Sequence, residues 1–291
     1  MQDISSAKRI RVFANTRFYL KYLLEFNLVK VLEKAKLVVD SVSVPHGREI
    51  EKPNEDKLLV DKENGIFIVL DGVTRVHAEY EATPFESAAL DVSEIFLCHA
   101  YEYIKAHICD PNPKEILESA VMCGNLEVRK YREKKSLQEW EYYPSTVGIM
   151  AILRDGTLHY LSVGDCLGVL LRGSAKLLFG RQFALEAVDL TGVSKKYRYD
   201  NLCNHPKNHL SYTVYNGDEE VMNGLDYSFI DLHQGDVVFL ASDGIGNYLR
   251  YEKNADLIKQ SVDEIIALSG EYDLPPYAEY EDDKTLIKLS F

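Results

Sequence analysis

Three short acidic segments lie far apart in the 291-residue chain: FIVLDGV around Asp71, VVFLASDGI around Asp243, and EDDKTLIKL around Asp282 and Asp283. Each falls where a predicted strand ends or begins, so a fold that makes those strands neighbours gathers their carboxylates at one edge. Crowded carboxylates repel one another, and a hard divalent cation relieves them because it prefers carboxylate, carbonyl and water oxygens as ligands. No histidine or cysteine accompanies the segments at ligand spacing, which favours magnesium or manganese over zinc. An Asp-Gly pair is also an ordinary turn signal, and on residue types alone three turns explain the segments as well as a cation site does.

The elements that must position these residues follow from periodicity. KLVVDSVSV (36–44), KLLVD (57–61) and GIFIVLDG (65–72) have strand character and are separated by the breakers Pro45, Gly47 and Pro53. Helices are expected from Pro84 to Ile108 and from Pro113 to Lys135, each proline suiting an early helical position. Ile116, Leu117, Ala120, Cys123, Leu126 and Val128 form the apolar stripe of the second helix. After Pro144 the period changes again, and STVGIMAILRDGTLHYLSVGDCLGVLLR predicts three strands in an antiparallel meander with turns at Asp155-Gly156 and Gly164-Asp165. Residues 176–208 show no clear period. Further strands are expected in LSYTVYNG, DYSFIDL, VVFLAS and KTLIKLSF, with a helix over 252–268 anchored by Ile258, Val262, Ile265, Ile266 and Leu268. Residues 16–34 carry the pattern of an amphipathic helix that packs on the domain, a membrane-surface role being the alternative. Many strands with two adjacent long helices make an α+β domain.

Composition excludes some roles. The 33 basic against 46 acidic residues give a formal charge of −13, which disfavours nucleic acid or an anionic membrane as the main partner. No apolar run approaches the roughly 20 residues needed to span a bilayer, and the start lacks a secretion segment, so a cytoplasmic protein without stable membrane insertion is expected. Cys98, Cys109, Cys123, Cys166 and Cys203 are odd in number and lack CxxC spacing, which fits free thiols.

The ordered set PNED, VLDG, STV, SVGDC, ASDG and DDKT, spread over residues 36–291, resembles the metal-dependent protein serine/threonine phosphatases of the PP2C type, the PPM superfamily. That resemblance implies a PP2C-like β-sandwich of two antiparallel sheets flanked by helix pairs, a four-layer αββα domain over 36–291. Residues 1–35 would then be a helical extension that packs on or regulates it. It implies two ions of Mn2+ or Mg2+, with a weaker third. Carried over by motif, Asp71 bridges the two ions, Glu55 and the carbonyl of Gly72 hold one, and Asp243 and Asp282 hold the other. Asp165 resembles the aspartate that joins Asp243 at the third ion, and Asp56 the acid that orients metal-bound water.

The activity implied is hydrolysis of phosphoserine and phosphothreonine in proteins by a metal-activated water, in a monomer that acts in signalling on phosphorylated proteins. The alternatives are a catalytically impaired regulatory or binding relative and a phosphomonoesterase for small molecules. Arg48 is expected to grip the substrate phosphate, with Lys52 as a less directional substitute. The sequence departs from the family pattern at three places: Arg48 precedes Glu55 by more than the usual interval, Cys166 and Leu167 replace a usual serine and arginine, and Asp283 stands where many relatives have asparagine. Thr146 and Ser242 read as buried or turn-supporting hydroxyls, and His46, His77, His205 and His209 as surface or packing residues rather than a general acid.

Overall fold

The computed structural model describes residues 37–45, 53–73, 88–135, 144–180, 195–205, 212–272 and 282–291. The helix expected at 16–34, Arg48, Lys52, His46, His77 and His209 lie outside them, as does the 1–35 extension. The compact body spans Val39–Phe291.

Ten strands are described: β1 Val38–Val44, β2 Lys57–Asp61, β3 Ile66–Val73, β4 Ser145–Arg154, β5 Thr157–Val163, β6 Leu167–Arg172, β7 Ala175–Phe179, β8 Asp226–Asp231, β9 Val237–Ala241 and β10 Lys284–Ser290. They form two five-stranded sheets, ordered β1-β10-β9-β6-β7 and β2-β3-β4-β5-β8. Two long helices, α1 (Ala88–Ala106) and α2 (Pro113–Lys135), pack together and against β3, β4 and β5 of the second sheet. Three short helices, α4 (Gly246–Tyr251), α5 (Asn254–Lys259) and α6 (Val262–Ser269), cover the first sheet, and α3 (Lys195–Leu202) lies between β7 and β8 in the chain. The result is the expected four-layer α+β sandwich. None of the described helices is long and apolar enough to cross a membrane.

Burial explains why these segments fold as they do. Ile66 to Leu70 of β3 are fully buried, as a strand sandwiched between a helix layer and a second sheet must be. In α1 the residues Val92, Phe96, Ala100 and Ile104, each four apart, face inward. The first sheet alternates: Leu167, Val169, Leu171, Val237, Phe239, Ala241 and Leu286 pack against Tyr248, Leu249, Leu257, Val262 and Ile265 of the short helices. Two lysines of this sheet close helix ends. Lys176 donates to the carbonyls of Leu249, Arg250 and Glu252, and Lys288 to those of Leu257, Ile258 and Gln260, satisfying groups that a helix C-terminus leaves unpaired.

Several expectations are corrected. The 252–268 helix is broken at Gln260, because Ser261 caps α6 through a reciprocal pairing with Glu264; Ile258 and Leu268 are consequently exposed, as is Leu126 of α2. β7 falls in the tract where no period was visible. Of LSYTVYNG, the described part makes only isolated bridges, Tyr212 to Cys203 and Tyr215 to Thr146. Beyond Tyr215 the side chains of α2 take over: Asn125 and Arg129 bond the backbone of Gly217 and Asp218, and Arg132 the carbonyl of Asn216. The meander holds for β4 and β5, whose register joins Arg154 to Thr157 across Asp155-Gly156. It fails at Gly164-Asp165, where the chain leaves one sheet for the other. Gly164 has φ +80° with the side chain of Val147 where a Cβ would sit, so no other residue suits the crossover.

At the opposite end of β6 and β9 from this crossover, Arg172 clips the sheets together. It holds Asp236 through Nε (3.0 Å to Oδ1) and Nη2 (2.7 Å to Oδ2) and donates from Nη2 to the carbonyl of Asp231 at the end of β8. Burial alone would raise the Asp236 carboxyl; the Arg172 guanidinium and the His233 N–H outweigh it and hold it below the usual value of 3.8. A depressed native pKa contributes stability that is present above the unfolded value and is lost as pH falls through the native one. Asp236→Asn is therefore expected to cost roughly 2 kcal/mol at pH 7 and less near pH 2. Urea unfolding at both values checks this; an equal gap would contradict it.

Candidate metal centre

The acidic segments converge at one end of the sandwich. Asp71 lies near the end of β3, opposite Val147 of β4. Asp165 sits in the crossover between the sheets, and Asp243 opens a short 3-10 turn, Asp243–Ile245, between β9 and α4. One carboxylate oxygen from each of Asp71, Asp165 and Asp243 lies within 4.8 Å of the other two. Asp282 enters from the start of β10, which the pairing of Leu286 with Ala241 sets beside the end of β9. Its charge acts on Asp71, Asp243 and Asp56.

Glu55 and Asp56 come from the approach to β2 and are both buried, and the charge of Asp56 acts on Asp71 and Asp243. A chain of hydrogen bonds sets that segment: Asn54 accepts from the Asp56 N–H (2.9 Å) and donates to Ser43 Oγ (2.8 Å), which shares a proton with Thr285 Oγ1 (2.7 Å). The Glu55 N–H donates to Asp283 Oδ2 at 2.9 Å. Gly72 is required by proximity, since a Cβ there would stand 2.6 Å from the Glu55 Cβ and 2.9 Å from its carbonyl oxygen. Behind Gly72, Ser93 donates to Thr146 and Thr146 to the Asp71 carbonyl (2.7 Å). Ser242 and Thr285 bond through their backbones and through the Ser242 hydroxyl. Thr146 and Ser242 are both buried and hydrogen-bonded, in keeping with their reading as buried or turn-supporting hydroxyls. Ser93 and Tyr215, which pairs with Thr146, were not foreseen; a buried serine directly after apolar Val92 and one turn before Phe96 offers little to mark it.

The electrostatics are those of a site short of positive charge. Burial, then the carboxylates of Asp243, Asp56, Asp282 and Asp165, push Asp71 well above 3.8. Burial, then Asp165 and Asp282, do the same to Asp243 against a hydrogen bond with Asp71. Asp56 is raised to about 7, chiefly by burial and also by Asp283 and Asp282, while the hydroxyls of Ser242 and Thr285 pull it down. Asp56 Oδ2 and Asp243 Oδ1 are buried with no hydrogen-bond partner. Buried acceptors of this kind are costly unless something pairs with them, and an all-oxygen donor set suits a hard divalent cation. The residues present fit such an ion. Cys166 is buried beside them; burial, then Asp71 and Asp165, push its thiol well up, which suits packing and not nucleophilic attack. All five cysteines are free thiols, and His205 is exposed at the surface.

No protein-family model and no curated protein sequence matches the chain. Solved structures do. The serine/threonine phosphatase PstP/Ppp of Mycobacterium tuberculosis is 19% identical, with a TM-score of 0.58 over 88% of this chain and 98% of that one. The catalytic domain of PstP, solved with two manganese ions, is 18% identical with a TM-score of 0.58 over 88% and 99%. The serine/threonine phosphatase Stp1 of Staphylococcus aureus is 15% identical with a TM-score of 0.57 over 88% and 96%. The chain has the fold of the PP2C-type serine/threonine phosphatases.

Because Gly72 leaves no room beside Glu55, Gly72→Ala is expected to cost about 1–3 kcal/mol through overpacking. Chemical unfolding of the metal-free protein measures this, and a wild-type value would mean that the Glu55 segment moves aside freely.

Proposed function

We propose that the chain hydrolyses phosphoserine and phosphothreonine esters in proteins, using Mn2+ or Mg2+ held by the half-buried acidic cluster. The observation that carries this reading is the convergence of Asp71, Asp165 and Asp243, with partnerless oxygens on Asp243 and Asp56, in a fold shared with serine/threonine phosphatases, one of them solved with two manganese ions.

In this reading Asp71, Glu55 and the Gly72 carbonyl would hold one ion, Asp71 with Asp243 and Asp282 would hold the other, and Asp165 with Asp243 would hold a weaker third. Bound there, the cations supply Lewis acidity that activates a water and offsets charge on the phosphoryl group.

The chain's own residues supply the rest. The Thr146 hydroxyl fixes the Asp71 carbonyl and so the direction of the β3 end. Asp56, with one oxygen held by hydroxyls and the other open, is suited to orient the attacking water and to take up its proton. Arg48, although it precedes Glu55 by more than the family's usual interval, is the residue assigned to the substrate phosphate, with Lys52 as the substitute.

Release of phosphate from an aryl phosphate and from phosphoserine and phosphothreonine peptides, with and without Mn2+, tests the reading. Wild type is expected to be Mn2+-dependent and to prefer the peptides. Asp71→Asn and Asp243→Asn are expected to lose roughly a hundredfold or more in turnover, the scale of removing one preorganised electrostatic partner. Equal turnover in all three proteins would sink the site. A preference for small phosphomonoesters over peptides would retain the chemistry and change the substrate.

A further inference from the structure

Asp283 has no place in the ligand set above, yet it is tied to the segments that carry Glu55, Asp282 and Asp243. The residue is 2% exposed. Its Oδ2 accepts from the Glu55 N–H at 2.9 Å, its own N–H donates to Asp282 Oδ1 at 2.9 Å, and its carbonyl lies where a side chain at Gly244 would begin. The Glu55 backbone and the Asp282 carboxylate that it thereby holds belong to residues assigned to different ions.

Hydrogen bonding does not by itself call for an acid here, because the carbonyl oxygen of an asparagine would accept the same Glu55 N–H. What the acid adds is charge. A buried carboxylate beside Asp56 and Asp282 is repelled in the cation-free chain and attracted once a cation is bound. We propose that Asp283 is a positioning residue that couples the Glu55 and Asp282 arms of the centre, and that its negative charge strengthens divalent-cation binding at the expense of the stability of the cation-free protein. The inference rests on the metal-centre reading given above.

Two measurements on the full chain test it: calorimetric titration with Mn2+, and thermal unfolding in EDTA and in Mn2+. Asp283→Asn keeps the hydrogen-bond acceptor and removes the charge. It is expected to bind Mn2+ on the order of tenfold more weakly, the size of a neighbouring-charge effect of about one pKa unit, and to melt in EDTA at or above the wild-type midpoint. Asp283→Ala loses the Glu55 tether as well and is expected to melt below Asp283→Asn in EDTA. Wild-type Mn2+ affinity in Asp283→Asn, with wild type itself binding the ion, overturns the role of the charge and leaves the metal-centre reading standing. A lower EDTA midpoint for Asp283→Asn than for wild type overturns the repulsion argument. Absence of Mn2+ binding by wild type overturns this inference and the metal centre together.

Discussion

The structure turns on the mutual repulsion of carboxylates brought together where water is scarce. Asp71, Asp165 and Asp243 have oxygens within 4.8 Å of one another, and burial raises Asp71 and Asp243 before their neighbours raise them further. Such an arrangement is unfavourable in isolation, by several kcal/mol for each unpaired buried charge. It persists because the segments that carry the acids are held by forces unrelated to their charge: ladder hydrogen bonds in two sheets and apolar surface buried on both sides of each.

Those forces are organised so that the loops bearing the acids have little freedom. Ser43, Asn54, Ser242 and Thr285 form a polar seam from the edge of β1 to the starts of β2 and β10. The seam lies at the acidic end, and the Arg172 clip joins the sheets at the other. Lys176 and Lys288, whose ammonium groups are desolvated, instead find helix-end carbonyls. In the lysines burial is matched by ordinary hydrogen bonds; at the acidic end two oxygens are left over. The contrast sets the acidic end, where the cation site is proposed, apart from the lysines, which belong to the frame.

Much of the fold was legible. β2, β3, β8, β9 and β10 lie where apolar runs bounded by Asp, Gly or Pro predicted them, and α2 has the expected limits, Pro113–Lys135. The failures have physical causes. A serine cap at Ser261 divides a segment whose apolar spacing runs on across it, and periodicity does not register caps. β7 is an edge strand of five residues with only Phe179 buried, too short for alternation to be distinctive. Gly164-Asp165 has turn chemistry whether the next strand pairs with the last or crosses to the facing sheet, and only packing of the two sheets chooses between them.

By itself the sequence determined which residues could be ligands and on which strands they lie, because residue chemistry and hydrophobic period are local properties. It also carried the order of motifs from which the PP2C-like sandwich was expected. The resemblance set Asp165 with Asp243; tertiary structure shows how they meet with Asp71, since the crossover that brings Asp165 there depends on which sheet β6 joins. Tertiary structure alone decided the placing of Asp283, whose bond to the Glu55 N–H spans 228 positions of sequence. Contacts of that range follow from how two sheets stack, and no local pattern encodes the distance between them.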